Sequence, residues 1–363
     1  MNKENSLTPM LNLYPDSMGG TLKDVTQFLA SDDLKDSFGS IYILPSIYNT
    51  DLDRGFSVID YNINELFASE EDLEKIKALG LDLKLDFILN HASVLSPQFQ
   101  DLLENGQKSK YKDFFINWNE FWTGCGKMTT DGYIQPEKKY LDKMFFRKPG
   151  LPILMVRMPD GSKIPYWNTF YQKVFYDPID AQDLLKQFGM QYASAEELAD
   201  LVNKQLKENV NPADMNLGRW ANMHNEICDY LDSRCKYLGQ MDLNLKSPLV
   251  WDFYKKTLQK LAGYGAAIIR LDAFAYAPKA PGSHNFMNEP ETWNTLEHVR
   301  ELAAPYGLTL LPEIHASYEE KTYEKVANYG YLTYDFFLPG LLIDAIEQKD
   351  GTTPVSYTHL RAH

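Results

Sequence analysis

Two carboxylates in this 363-residue chain lie where an apolar run of strand length turns polar. Asp272 ends the run in "AAIIRLDAFAY", and Glu313 ends the run in "LTLLPEIHAS". One helical segment separates them, so we expect the two acids on consecutive parallel strands, roughly 4.8 Å apart. A double displacement at a glycosidic carbon needs two carboxyl groups about 5 to 5.5 Å apart. The pair therefore predicts a nucleophile and a general acid at one site.

Strand-like and helix-like segments alternate along the chain, which predicts a parallel sheet with helical crossovers. A possible capping box, Ser69 with Asp72, marks the start of one of these helices. The strand candidates lie, in order, in "LNLYPDS", "SIYILPS", "LDLKLDFILNH", "AAIIRLDAF", "LTLLPEIHAS" and "YLTYDFFLPGLLIDAI". Eight strands would close a (β/α)8 TIM barrel, in which polar residues at the carboxyl ends of the strands share one pocket. The fold class predicted is therefore α/β, a TIM barrel truncated after about strand six.

A long interruption follows the third strand, and its length predicts an inserted subdomain. Within it, "ILMVRMPDGSKIPYW" predicts a hairpin that turns at Asp160 and Gly161, and a helix is expected to begin at Ser194 with a capping box through Glu197. The predicted domains are 1–91, barrel strands one to three; 92–246, the inserted subdomain; 247–348, barrel strands four to six; and 349–363, a non-native tail.

The tail "VSYTHLRAH" has neither strand nor helix periodicity and resembles translated sequencing-adapter sequence. We therefore expect a truncated reading frame. A sheet that lacks two barrel strands keeps an unpaired edge. As written, the polypeptide is expected to fold poorly and to be inactive, whereas its full-length parent is expected to be an enzyme.

Composition limits the partners. The formal net charge is -14, which argues against nucleic acid or an anionic membrane as a partner, because both bind clustered Lys and Arg. No apolar run suggests a signal peptide or a membrane span. We predict a cytoplasmic protein that binds a neutral ligand and has no cofactor and no metal site.

An ordered set of segments carries a family resemblance: "YPDSMGG", "DLDRGFSVIDY", "DFILNH", "IRLDAFAY", "LPEIHASY" and "YDFFLPGLL". With these segments, which span about Leu11 to Leu342, the chain resembles the α-amylase superfamily, glycoside hydrolase family 13, and most closely its sucrose phosphorylase-like branch. The resemblance implies a retaining enzyme that transfers glucosyl from sucrose or a related α-glucoside to inorganic phosphate. A covalent glucosyl-Asp intermediate is implied with it.

The resemblance also implies roles for individual residues. Asp272 matches the family's nucleophile, and Glu313 matches its general acid and base. Arg270 lies two residues before Asp272 on the same face of the strand and should favour the ionised carboxylate. The residues that match the family's grip on the glucosyl unit are Asp53, Phe56, His91, Tyr276 and His315. The family's third catalytic carboxylate, an Asp on strand seven, has no counterpart in this chain.

Three alternatives stay open at this stage. The same two-step chemistry with water or a sugar as acceptor would make a hydrolase or a transglucosidase. A carbohydrate-binding remnant would bind sugar without turnover. An enolase-like magnesium enzyme would use Asp86, Asp272 and Glu313 as metal ligands. The α-glucoside, the acceptor, the oligomeric state and a calcium ion near Asn90, as in some amylases, are not settled by the sequence.

Overall fold

The computed structural model describes residues 8–314, 322–335 and 337–355. The strands are β1 Met10–Leu13, β2 Ser40–Ile43, β3 Tyr48–Thr50, β4 Val58–Ile63, β5 Asp82–Ile88, β6 His91–Ser93, β7 Gly126–Met128, β8 Ile134–Pro136, β9 Ile153–Arg157, β10 Lys163–Trp167, β11 Gln172–Phe175, β12 Lys236–Asp242, β13 Ala266–Asp272 and β14 Thr309–Pro312. The helices are α1 Leu22–Leu29, α2 Glu70–Ala78, α3 Pro97–Asn105, α4 Trp118–Phe121, α5 Lys138–Leu141, α6 Ala181–Phe188, α7 Tyr192–Lys207, α8 His224–Ser233, α9 Pro248–Gly263, α10 Glu291–Ala303, α11 Thr322–Asn328 and α12 Leu338–Gln348.

The central element is a parallel sheet of five strands in the order β1, β2, β5, β13 and β14. Every residue of β2 is buried, and in β5 only the first residue, Asp82, is partly exposed. Such continuous burial is typical of a parallel sheet with both faces covered. The predicted strands one to five are thus present and pair in parallel.

Helix α2 begins as the sequence predicts. The Ser69 hydroxyl accepts a hydrogen bond from the Asp72 backbone N–H at 3.3 Å, and the Asp72 carboxylate accepts one from the Ser69 N–H at 3.0 Å. This reciprocal pair is a capping box, which satisfies backbone donors that the first turn of a helix leaves free.

The chain divides into two compact units. The first unit comprises the described residues of Met1–Ala92, Lys138–Phe145 and Leu243–His363, and it contains the parallel sheet. The second comprises Ser93–Glu137 and Phe146–Asp242.

The second unit contains three antiparallel strand pairs and a helical core. The predicted hairpin is confirmed: β9 pairs with β10, and the turn passes through Asp160 and Gly161. Strand β7 pairs with β8, and β11 pairs with β12. Helices α6, α7 and α8 share an apolar core that includes Leu184, Leu198 and Ile227.

The predicted sixth strand is wrong. Residues 331–335 form no strand, and "LPGLLIDAIEQ" forms helix α12 instead. The Asp335 carboxylate accepts hydrogen bonds from the backbone N–H groups of Phe337 and Leu338 at 3.1 and 3.0 Å, which favours a helix start. A short apolar run does not distinguish strand from helix by periodicity alone.

Helix α7 also starts earlier than predicted. It begins at Tyr192 after Gln191, so Ser194 lies inside its first turn and caps nothing. The preceding helix α6 ends at Gly189 in a left-handed conformation, with φ of 65°, and the chain re-enters a helix almost at once. Within the residues described, no helix has both the length and the apolar content that a bilayer crossing demands.

Candidate active site

The carboxyl ends of β5, β13 and β14 lie side by side in the first unit. Strand pairing places Arg270 opposite Asp86 on β5, and Leu271 opposite Pro312 on β14. The Glu313 N–H extends the second ladder by donating to the Leu271 carbonyl at 3.1 Å. Glu313 therefore follows β14 directly and lies beside the end of β13, where the sequence predicts it.

Arg270 is the centre of the charged cluster. Its Nη1 lies 2.5 Å from Asp86 Oδ1 and 2.8 Å from Asp272 Oδ1, and its Nη2 lies 2.6 Å from Glu313 Oε1. The Arg270 side chain is only 8% exposed. Burial lowers its pKa, but the neighbouring carboxylates of Asp86 and Asp272 outweigh burial and raise it. The guanidinium therefore stays charged and holds three acids in one place.

Asp272 and Glu313 share the Arg270 guanidinium, Asp272 through its Nη1 and Glu313 through its Nη2. Two carboxylates held this close disfavour each other's ionised form. Burial raises the pKa of Asp272 well above its ordinary value, and the charges of Glu313 and Asp86 add to the rise. Arg270 lowers this pKa, as the sequence predicts, but burial outweighs it. The pair therefore favours a state in which one of the two acids is protonated.

Asp86 anchors the opposite side of Arg270. Its side chain is fully buried, and the Tyr42 hydroxyl donates to Asp86 Oδ2 at 2.7 Å. Burial raises the pKa of Asp86, while Arg270 and the Tyr42 hydrogen bond lower it. The Tyr48 hydroxyl also donates to the Asp86 carbonyl at 3.1 Å. Asp86 therefore acts as a fixed support for Arg270.

His91 and Phe56 come together beside this cluster. His91 is buried, and its Nε2 lies 3.0 Å from the Phe56 carbonyl oxygen. The Phe56 ring in turn lies 5.3 Å from the Arg270 guanidinium carbon, which is cation–π distance. The structure thus links two of the predicted sugar-binding residues to the carboxylate cluster.

Two of the other predicted binding residues, Tyr276 and Asp53, lie in turns of the first unit. Tyr276 lies in the 3-10 turn after β13, and its ring packs 4.8 Å from that of Phe286. Asp53 is exposed, in a turn that leads directly to Phe56, with φ of 55°. His315 lies outside the described residues. The sugar-binding roles of all these residues stay predictions.

Four residues that contact site residues carry no prediction from the sequence: Tyr42, Lys84, Tyr334 and Lys279. Tyr42 bonds Asp86, and Lys84 donates to the Tyr334 hydroxyl at 2.8 Å. Lys279 donates to Asn90 Oδ1 at 2.8 Å and to the Tyr276 carbonyl at 2.5 Å. A signal existed for Lys84 alone, because residues two apart on a strand share a face and Lys84 precedes Asp86 by two.

The magnesium-enzyme hypothesis fits this geometry poorly. It requires Asp86, Asp272 and Glu313 to surround a shared cation site, whereas all three carboxylates converge on the Arg270 guanidinium. In the part of the chain that the structure describes, no group of three or more His, Cys, Asp or Glu side chains has an arrangement that would hold a metal ion.

Comparison with known proteins shows which class of protein this chain resembles. Residues 10–142 match the family model described as "Alpha amylase, catalytic domain". A trehalulose synthase structure aligns with a TM-score of 0.57 at 17% identity, covering 93% of this chain and 50% of that one, and shows the fold alone. The resemblance to the α-amylase superfamily is confirmed, and with it a (β/α)8 barrel-type fold.

The similar proteins include several phosphorylases. The chain is 46% identical over 343 residues to a sucrose 6(F)-phosphate phosphorylase of Ilumatobacter coccineus, covering 94% of this chain and 55% of the relative. It is 30% identical over 332 residues to a sucrose phosphorylase of Streptococcus mutans, covering 91% and 52%. The predicted likeness to the sucrose phosphorylase branch is therefore confirmed.

A solved structure agrees with these relatives. The crystal structure of sucrose 6F-phosphate phosphorylase from Thermoanaerobacter thermosaccharolyticum aligns with a TM-score of 0.69 at 29% identity, covering 96% of this chain and 56% of that one. The chain thus spans about half the length of the relatives that it matches.

Proposed function

We propose that this chain carries the nucleophile and the general acid of a retaining enzyme that transfers glucosyl from sucrose, or a related α-glucoside, to inorganic phosphate. The observation that carries the proposal is that Asp272 and Glu313 both pair with one arginine, Arg270, at 2.8 and 2.6 Å. The phosphorylase names of the similar proteins support phosphate as the acceptor.

The proposed first step breaks the glycosidic bond. An ionised Asp272 oxygen attacks the anomeric carbon, and the Glu313 proton passes to the departing oxygen, so the leaving group departs as a neutral alcohol. The glucosyl unit is then an ester of Asp272, and Glu313 is a carboxylate.

The second step reverses these roles. A phosphate oxygen attacks the anomeric carbon, Glu313 takes the proton from that phosphate, and the Asp272 carboxylate leaves. Two inversions at one carbon retain its configuration, and the product is an α-glucosyl phosphate. Arg270 favours each step that returns Asp272 to its ionised form, because its Nη1 lies 2.8 Å from Asp272 Oδ1.

The predicted binding residues complete the proposal. Asp53, Phe56, His91, Tyr276 and His315 would hold the glucosyl unit beside the acids. The contacts of His91 with the Phe56 carbonyl and of the Phe56 ring with Arg270 support this for two of them. The inserted subdomain at 92–246, the predicted domain boundaries and the cytoplasmic location stay predictions.

The test is an assay of the protein at its natural length with sucrose and, separately, with its 6F-phosphate, each with and without inorganic phosphate. We expect an α-glucose 1-phosphate product that depends on phosphate. Release of free glucose at the same rate in both conditions would indicate the hydrolase alternative. Sugar binding without turnover would indicate a carbohydrate-binding protein, and either result would refute the phosphorylase proposal.

A further inference from the structure

Lys84 is a buried cation that has no role in the proposed two-step mechanism. It lies on β5, two residues before Asp86, and is 3% exposed. Its ammonium nitrogen lies 3.9 Å from the centre of the Tyr42 ring and donates to the Tyr334 hydroxyl at 2.8 Å. Burying a lysine is unfavourable unless it is paired, so the position calls for a reason.

Both tyrosines connect Lys84 to the catalytic cluster. Tyr334 lies close enough to Arg270 for the guanidinium to lower the pKa of its hydroxyl, although burial raises that pKa overall. Tyr42 donates to Asp86 at 2.7 Å. Lys84 therefore contacts one partner of Arg270 and one partner of Asp86. A change at Lys84 is transmitted to Arg270 through the Tyr334 hydroxyl.

The charges of the cluster give Lys84 a second effect. Three carboxylates, those of Asp86, Asp272 and Glu313, face Arg270. Lys84 feels the charges of Asp86, Arg270 and Glu313, and burial lowers its pKa to about 8. When Lys84 and Arg270 are both charged, the three carboxylates carry one negative charge in excess of the two positive charges. One shared proton neutralises this excess. That proton is the one that a general acid requires.

We propose that Lys84 is a positioning residue for the glucosyl transfer: it holds Tyr334 against Arg270 and supplies the second positive charge that leaves a single proton on the Asp272–Glu313 pair. The positioning role rests on the proposed function. The charge effect exists in the resting protein whether or not a glucoside is turned over.

The first experiment is a pH–rate profile of Lys84→Met in the protein at its natural length. Methionine nearly fills the space of lysine without the charge, so the carboxyl pKa values rise, and both limbs of the profile should move upward by about one pH unit. Lys84→Arg retains the charge and should keep the wild-type limbs. Lys77→Met, an exposed lysine of helix α2, is the matched control and should change neither rate nor profile.

The second experiment needs no turnover. Infrared titration of the resting protein follows the protonated carboxyl band, whose midpoint should rise by about one unit in Lys84→Met and stay unchanged in Lys77→Met. A folded Lys84→Met protein with the wild-type midpoint would overturn the proposal. Absence of any glucoside turnover would instead refute the proposed function, while the infrared result still decides about Lys84.

A further variant covers the case in which Lys84→Met fails to fold. Tyr334→Phe keeps the ring and both cations but removes the hydroxyl that joins them. We expect kcat to fall about tenfold with no movement of the pH limbs, since one charge-assisted hydrogen bond is lost and no charge changes. A wild-type kcat in Tyr334→Phe would refute the link between Lys84 and Arg270.

Discussion

Replacement of Arg270 by methionine should destabilise the protein strongly and in a pH-dependent way. The guanidinium makes three ion pairs of 2.5, 2.8 and 2.6 Å, with a side chain only 8% exposed. Removing one partner of a buried ion pair costs about 3 to 5 kcal/mol, because the remaining charge is left uncompensated. We expect a loss in this range at neutral pH, measured by urea unfolding.

The pH dependence follows from the direction of the pKa shifts. Burial already raises the pKa values of Asp86 and Asp272 in the folded protein, and loss of Arg270 raises them further. An acid whose folded pKa exceeds its unfolded value binds more protons when folded, so its stabilising contribution is present at low pH and is lost as pH rises through the folded pKa. The loss in Arg270→Met should therefore be larger at about pH 8 than at about pH 5.

Arg300→Met is the matched control for this measurement. Arg300 pairs with Glu297 at the surface of the same unit, with a side chain 45% exposed. Surface pairs contribute about 0 to 1 kcal/mol, so the control should lose little stability at either pH. If Arg270→Met also lost less than about 1 kcal/mol, or lost the same amount at both pH values, the inferred central role of Arg270 would be refuted.

Three further substitutions test the acids and their support. Asp272→Asn should lower kcat by on the order of 10⁴-fold or more while the sugar dissociation constant, measured by calorimetry, changes only a few-fold; a variant with near wild-type kcat would exclude Asp272 as the nucleophile. Glu313→Gln should lower the rate on sucrose far more than on an aryl glucoside whose leaving group needs no proton, and equal losses on both substrates in steady-state assays would contradict the general-acid role. Tyr42→Phe should cost about 1 to 3 kcal/mol in urea unfolding, because Asp86 loses a buried hydrogen bond, and an unchanged midpoint would show that this bond contributes nothing.

The strand ends were predictable because two local signals coincide there. An apolar run that turns polar marks the carboxyl end of a buried strand, and in Asp272 and Glu313 the polar residue is also an acid. Arg270 was predictable as well, because residues two apart on a strand share a face. The positions of these residues depend only on their own strands and on the order of the segments.

The supporting residues were not predictable in the same way. Tyr42 reaches Asp86 across two paired strands, and Tyr334 reaches Lys84 from a segment 250 positions later. Such contacts depend on strand register and on the path of irregular segments, neither of which leaves a periodic signal. The helix at Leu338–Gln348, predicted as a strand, shows the same limit for a short apolar run.

The location of the shared proton decides whether the resting site is ready for catalysis. The Glu313 side chain is 20% exposed, and that of Asp272 is 11% exposed. In the resting protein, burial and the charge of Glu313 favour a proton on Asp272. A glycosidic oxygen that enters beside Glu313 and accepts its proton leaves Arg270 beside Asp272, which favours the ionised nucleophile. We therefore infer that Glu313 carries the proton once a glucoside is bound. With a glucoside bound, the protonated carboxyl band near neutral pH should persist in Asp272→Asn and vanish in Glu313→Gln, and the reverse pattern would assign the proton to Asp272.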